Sequence, residues 1–160
     1  MPLPAGYRRL PLSQFNLQKY LGTWHQYGSI RPWWQPNATN VILTCTASPR
    51  SLGEYNLDVR LEHLIFKHHL EAQIVLGDVL PNFTVNAPRA LLGFGLKTDF
   101  VVVAGVIDPR GEYAYLLCER KGTPAIHVLA RTRDVPPEHV TYLREVLVEL
   151  GWDLSRFQLS

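Results

Sequence analysis

Glu54-Tyr55-Asn56-Leu57-Asp58-Val59-Arg60-Leu61-Glu62 alternates polar and apolar residues without a break. In an extended chain successive side chains point to opposite faces, so Tyr55, Leu57, Val59 and Leu61 share one face and the charged and amide residues share the other. That is a strand with one wet side and one buried side. Shorter runs of strand type follow at Leu70–Leu76, Asn82–Asn86, Tyr113–Glu119 and Ala125–Ala130. Asp108-Pro109-Arg110-Gly111 and Lys121-Gly122-Thr123 supply turns between them.

Phe100-Val101-Val102-Val103-Ala104-Gly105-Val106-Ile107 breaks the alternation, being apolar on both faces. Such a strand needs cover outside the sheet as well as within. The cover is at hand in Pro136–Leu150, where Val140, Leu143, Val146, Leu147 and Leu150 recur at intervals of three and four and form one helical stripe. Pro136 and Pro137 suit a first helical turn, which needs no backbone N–H, and Gly151 suits the residue just past the end. Many short strands followed by one amphipathic helix predict an all-β fold: an eight-stranded antiparallel up-and-down β-barrel with a C-terminal α-helix packed on its outer wall. A barrel of about eight strands is just wide enough to hold one small ligand.

Composition narrows the function classes. The 160 residues, 46% hydrophobic and 11% aromatic, read as one globular domain over 1–160, with 1–14 as an N-terminal extension and 136–150 as the helix. A net charge of +2 with scattered Lys and Arg gives no electrostatic case for nucleic acid. No apolar run reaches the roughly 18 residues that span a bilayer. Met1–Arg9 has no apolar core of a signal peptide, so the expectation is a cytosolic chain as written, or a secreted one whose leader has been removed. Cys45 and Cys118 are the two cysteines, and spacing leaves both the free and the paired state open. The sequons Asn37-Ala38-Thr39 and Asn82-Phe83-Thr84 matter only in a secretory pathway. His68 and His69 are adjacent, which in a strand turns them to opposite faces, and His63 has no carboxylate at a matching offset. Neither a metal site nor a cofactor is expected.

Three stretches in order along the chain resemble the signatures of the lipocalins. Phe15-Asn16-Leu17-Gln18-Lys19-Tyr20-Leu21-Gly22-Thr23-Trp24 is similar to the family's opening, a turn of helix and then Gly-x-Trp. Thr98-Asp99-Phe100 is similar to its Thr-Asp-Tyr, and Val128-Leu129-Ala130-Arg131-Thr132 to its closing Arg. Tyr20–Trp24 and Glu149–Phe157 resemble in particular the bacterial lipocalins, apolipoprotein D and the plant temperature-induced lipocalins. The resemblance implies a cup open at one end that carries or stores a fatty acid, lysolipid, sterol, retinoid or pigment. It makes Gly22, Trp24, Thr98, Asp99 and Arg131 structural signature residues, with Trp24 plugging the floor and Arg131 laid across its indole. Two departures stand out. His25 replaces the subgroup's usual Tyr or Phe after Trp, and no Cys follows the helix to staple the C-terminal segment, which favours a reducing compartment.

Parity then nominates the lining of the cup. With Arg131 inward, Leu129 and His127 also face in; with Trp24 inward, so do Gln26 and Gly28. The resemblance places Val41, Leu43 and Cys45 inside. On the alternating strand Tyr55, Leu57, Val59 and Leu61 form the inner side, and Phe83, Val85, Tyr113, Tyr115 and Leu117 are further contributors. The predicted ligand contacts are Gln26, Trp34, Leu43, Cys45, Tyr55, Leu57, Val59, Phe83, Tyr115, His127 and Leu129. Gln26 and His127 are polar in an apolar cup and so need partners.

The apolar loops Ile30–Pro36 and Ala90–Leu96 are expected near the mouth. There Trp34 can cap the pocket, or the loops can meet a membrane surface or a second copy in a dimer. Two rival readings remain. In one, Cys45 acts as the nucleophile of a thiol-dependent isomerase, since Leu43-Thr44-Cys45-Thr46 resembles the corresponding strand of the lipocalin prostaglandin D synthase, with His127 the candidate base. A buried inert Cys is the simpler account, and the chain reads as a non-enzyme. In the other, the barrel is filled by its own side chains and the protein is an interaction module.

Overall fold

The computed structural model of this chain describes residues 3–32, 38–48, 54–76, 81–87 and 97–160. Its strands are β1 (Arg8–Arg9), β2 (Gly22–Ile30), β3 (Thr39–Ala47), β4 (Glu54–His63), β5 (Phe66–Leu76), β6 (Asn82–Asn86), β7 (Lys97–Ile107), β8 (Tyr113–Arg120), β9 (Ala125–Ala130) and β10 (Gln158–Leu159). The helices are α1 (Leu17–Tyr20) and α2 (Pro137–Glu149). Antiparallel neighbours run β7-β6-β5-β4-β3-β2-β9-β8, and β8 pairs back onto β7. The result is a closed eight-stranded barrel with one long C-terminal helix, as the alternation and the helical stripe predict.

The buried side chains form two clusters. One fills the barrel, from Leu10, Phe15 and Trp24 at one end to Val85 and Phe100 further up. The other is sandwiched between the outer wall and α2, where Ala104, Val106, Tyr115, Leu117, Ile126 and Val128 meet Tyr142, Leu143, Val146 and Leu147. The doubly apolar strand β7 serves both. Its register shifts between Val102 and Ala104, so Phe100 and Val102 face inward while Ala104 and Val106 face the helix. An extra residue in one strand turns the following side chains to the other face. The helix ends on a left-handed glycine: Gly151 has φ 91°, and the N–H groups of Gly151 and Trp152 donate to Val148 O and Leu147 O at 2.9 Å each. That closes the last turn and redirects the chain.

Two further bulges correct the parity drawn from sequence. In β8 the register shifts between the pairs Ile107–Tyr113 and Val106–Tyr115. Tyr113 therefore faces in, while Tyr115 and Leu117 face out against α2, where the Tyr115 hydroxyl meets His139 Nδ1 at 2.6 Å. Tyr115 is not an inner-wall residue. In β2 the shift falls between Gln26 and Gly28, so Gly28 pairs with outward-facing Val128 rather than joining Gln26 inside.

Gly28 lies under the C-terminal segment. Above His25 strand β2 no longer pairs with β3, and β10 takes that edge, matching Gln158 with Ser29 and Leu159 with Gly28. A Cβ on Gly28 would stand 2.3 Å from Phe157 Cζ and 2.7 Å from Gln158 O. Gly28→Ala should therefore cost about 1–3 kcal/mol in urea denaturation, the scale of overpacking. It should also speed amide exchange at Ser160, whose N–H bonds Tyr27 O at 3.1 Å. Wild-type exchange at Ser160 in that variant would refute the account.

Candidate functional site

The closed end is built around Arg131. Its Cζ sits 3.9 Å from the centroid of the Trp24 ring. Its guanidinium donates to Lys19 O at 2.7 Å, Leu21 O at 3.0 Å, Thr23 O at 3.1 Å and Tyr113 O at 3.3 Å. Trp24 is fully buried and donates from Nε1 to Tyr20 O at 2.7 Å. Gly22 has φ 105°, and a Cβ there would lie 3.1 Å from Arg131 Nη1, so the close approach and the backbone conformation both call for glycine. Thr98 and Asp99 take no part in this cluster. They lie at the far end of β7, paired with Val85 and Thr84. The β7–β8 turn and the start of β8 do touch the floor: Lys19 Nζ donates to Gly111 O at 3.0 Å in the turn, and Arg131 N to Ala114 O at 3.1 Å on β8.

Above the floor lies a cavity lined by Tyr20, Gln26, Leu43, Leu57, Phe83, Val85, Phe100, Cys118, His127 and Leu129. Its volume open to the centre of a water molecule is about 40 Å³, room for about three waters at roughly 10–15 Å³ each. Phe83 and Phe100, stacked 5.5 Å apart, occupy much of the space. Of the predicted contacts, Gln26, Leu43, Leu57, Phe83, His127 and Leu129 come together on this cavity. Cys45 and Val59 are buried in the inner cluster and Tyr55 packs against it, but none of the three lines the cavity. Trp34 and the Ala90–Leu96 loop lie outside the described residues. Tyr20, Phe100 and Cys118 were missed. Phe100 and Cys118 belong to strands whose parity depends on bulges, and Tyr20 was read only as part of a signature.

One polar pair stands in the cavity wall. His127 Nδ1 and Gln26 Oε1 are 3.0 Å apart, and Gln26 Nε2 donates to Ser160 Oγ at 2.8 Å. With the amide so oriented, Nδ1 carries the imidazole proton and Nε2 is left as an acceptor. Burial pushes the His127 pKa down to about 4, with Arg120 and Arg31 adding to the shift. Thr98 is 3% exposed, and its Oγ1 has no hydrogen-bond partner. It faces inward, since its register partner Val85 lines the cavity. A buried hydroxyl left unpaired costs about 1–3 kcal/mol.

The thiols are unsuited to attack. Cys45 and Cys118 are both free and buried, and burial raises each pKa to about 12. A nucleophilic cysteine needs the opposite shift. The candidate base His127 is bonded to Gln26, not to Cys45. On the outer face of β4 and β5, Asp58, His69 and Glu71 bring ligand atoms within 4.8 Å of one another. Spacing within one strand could not reveal this cross-strand group. It is largely exposed, and Asp58 already contacts His69 and accepts from Arg60 Nε at 3.1 Å.

Solved structures resemble this barrel. Insecticyanin of the tobacco hornworm Manduca sexta matches with TM-score 0.67 and 11% identity over 94% of this chain and 82% of its own. Lobster apocrustacyanin A1 matches with TM-score 0.63 and 10% identity over 91% and 78%. The siderocalin Ex-FABP, described as functioning through dual ligand specificities, matches with TM-score 0.59 and 12% identity over 88% and 93%. These neighbours are lipocalins, and the chain has the lipocalin fold. No protein-family model matches the sequence, and neither does any curated protein.

The depressed histidine has a consequence for stability. Neutral in the fold down to about pH 4, His127 gains a proton in the unfolded chain near pH 6.5. Between those values the unfolded state binds more protons, so stability is full above pH 6.5 and falls as the pH drops to 4. The loss should reach up to about 3 kcal/mol, at 1.36 kcal/mol per pH unit. His127→Gln should flatten that part of a urea-denaturation series against pH; an unchanged slope would show that His127 is not the group responsible.

Proposed function

We propose that this chain is a lipocalin that binds a small apolar molecule inside its barrel, for carriage or storage, without covalent chemistry. Its sequence affinities point to the bacterial, apolipoprotein D and temperature-induced subgroup. The observation that carries the reading is the cavity itself, whose lining is apolar apart from Gln26, His127, the Tyr20 hydroxyl and the Cys118 thiol. Burial of apolar ligand surface at about 25 cal/mol per Å² supplies the drive. At its present volume the cavity admits an occupant larger than a few waters only if Phe83 and Phe100 change rotamer. The raised thiol pKa values weigh against an isomerase built on Cys45.

The small volume also favours a second reading, an interaction module with a filled barrel. Leu64, Ile65 and Phe66 at the tip of the β4–β5 hairpin are 81%, 89% and 60% exposed, a protruding apolar finger suited to a partner or a lipid surface.

One pair of measurements separates the two. Organic extraction of the native protein followed by mass spectrometry should yield a bound apolar molecule. The neutral fluorophore N-phenyl-1-naphthylamine should titrate the emptied protein, and Leu57→Trp, or Leu129→Phe if the first variant folds poorly, should abolish that signal while leaving the far-ultraviolet circular dichroism intact. A bare protein that takes up no probe would favour the filled barrel.

A further inference from the structure

Among the described residues the large apolar side chains that stand in solvent are Leu64, Ile65, Phe66, Val148 and Leu159, and the first three are consecutive. They form the tip of the β4–β5 hairpin, where His63 pairs with Phe66 and Leu64-Ile65 make the two-residue turn. Such turns favour Asn, Asp and Gly, because one or both central residues take a positive φ. Leu64 has φ 56°. Glycine would sit there freely, whereas a bulky side chain in the left-handed region is strained. Backbone preference and solvation thus both argue against Leu64-Ile65 at this place in the isolated molecule. Outliers of this kind cluster where a segment meets something else.

The tip lies at the mouth. β4 pairs Leu57 with Cys45, which pairs with Gly22 on the floor, and climbs from there to His63. β7 begins at the same end with Lys97 and descends to Ile107, and Lys121 opens the turn between β8 and β9, whose last residue, Ala130, is back at the floor. Lys67, Lys97 and Lys121 are exposed, and among the described residues none of the three is in a salt bridge. The nearby carboxylates are engaged. Glu62, opposite Lys67 in register, accepts from Asn40 Nδ2 at 2.9 Å; Asp99 accepts from Thr84 Oγ1 at 2.6 Å, and Glu119 from Trp152 Nε1 at 3.0 Å. Asp58 and Glu71 lie further down the outer wall beside His69 and Arg60. The floor turn, by contrast, mixes Asp108, Arg110 and Glu112 and exposes no large apolar side chain. A protein partner in a standard interface would cover about 800 Å² per side, far more than three side chains at a turn present, whereas lipid closes around a convex tip.

We propose that the mouth end docks on membrane surfaces carrying anionic lipid. Leu64, Ile65 and Phe66 enter the boundary between headgroups and acyl chains, and Lys67, Lys97 and Lys121 stay at the headgroups. The proposal commits the hairpin tip to lipid and turns the opening of the cup toward the membrane. It holds whether or not the cavity carries a ligand.

Co-sedimentation of the full chain with vesicles of equal parts phosphatidylcholine and phosphatidylserine tests it. At low ionic strength binding should be at least about ten-fold stronger than to phosphatidylcholine alone, and it should weaken as salt rises. Lys67→Gln, Lys97→Gln and Lys121→Gln should each weaken it about five-fold. Ile65→Asn should weaken it about ten-fold. Leu64→Gly should also weaken it, yet leave the thermal midpoint at or above that of the wild type, because glycine suits the turn. An environment-sensitive nitrobenzoxadiazole label on Ile65→Cys should brighten on the mixed vesicles, Cys45 and Cys118 being buried. The same label on Arg110→Cys, in the floor turn, should not. Equal affinity for both vesicle types, wild-type binding by Ile65→Asn and Leu64→Gly, or a response at position 110 in place of 65 would overturn the proposal. So would a dimer that Ile65→Asn disrupts in the absence of any vesicle binding, which would give the tip to a second copy of the chain. Uptake of N-phenyl-1-naphthylamine by these variants in solution should match the wild type, so failure of docking leaves the cup reading standing.

Discussion

The Arg131 guanidinium is the constraint on which the barrel depends. One planar cation lies over the face of Trp24 and spends its donors on carbonyls from α1, β2 and β8. The end of α1, the start of the first barrel strand and the end of the last are thereby held at one point. Lysine could supply the charge but not the flat fork that stacks and donates at once. Gly22 is part of the same device, since any side chain there would push into the guanidinium. With the floor fixed, the inward faces of β2 and β9 are fixed for several residues, and Gln26 and His127 follow.

The cup above that floor is divided lengthwise rather than only into top and bottom. Along the cavity the β3–β6 wall is Leu43, Leu57, Phe83 and Val85, with the imidazole of His68 on the same parity as Leu61 nearer the mouth, whereas β2 and β9 bring the amide of Gln26 and the imidazole of His127. The helix lies behind that polar arc, against Ile126, Val128, Tyr115 and Ala104. The two strands that bring polar side chains to the cavity are thus ones whose outer faces are dry, which explains why they look apolar on average. Burial, with Arg120 and Arg31 adding to it, keeps His127 neutral, and burial keeps both thiols protonated.

Much of this architecture is legible in the residues. The alternation of Tyr55, Leu57, Val59 and Leu61 marks β4 and its inner face, and the stripe of Leu143, Val146 and Leu147 marks the buried side of α2. Counting in twos from Arg131 reaches His127 correctly because β9 has no bulge. The same count from Trp24 succeeds at Gln26 and fails at Gly28, and it gives Tyr115 the wrong face, because each of those strands gains a residue that no local composition announces. Thr98-Asp99-Phe100 carries no indication of which end of its strand it occupies, since three residues of this type fit either end and only pairing with β6 places them away from the floor. The Thr98 hydroxyl, unremarkable in sequence, gains its interest only from what surrounds it. The Asp58, His69 and Glu71 group needs two strands in register to exist at all.

The bulges in β2, β7 and β8 bear on how such a chain tolerates change in length. Each lets one strand present a ligand-side face along one stretch and a helix-side face along the next. Deleting Val103 itself would only remove the bulge and leave Phe100 and Val102 inward and Ala104 and Val106 against the helix, while deleting Val101 instead would throw one stretch of β7 onto the wrong face. Point substitutions in these strands change one contact, whereas an insertion or deletion away from a bulge exchanges the lining of the cup for its outer surface. Lineages carrying this barrel should therefore vary freely in side-chain size along β7 and β8 but hold the spacing from the floor fixed.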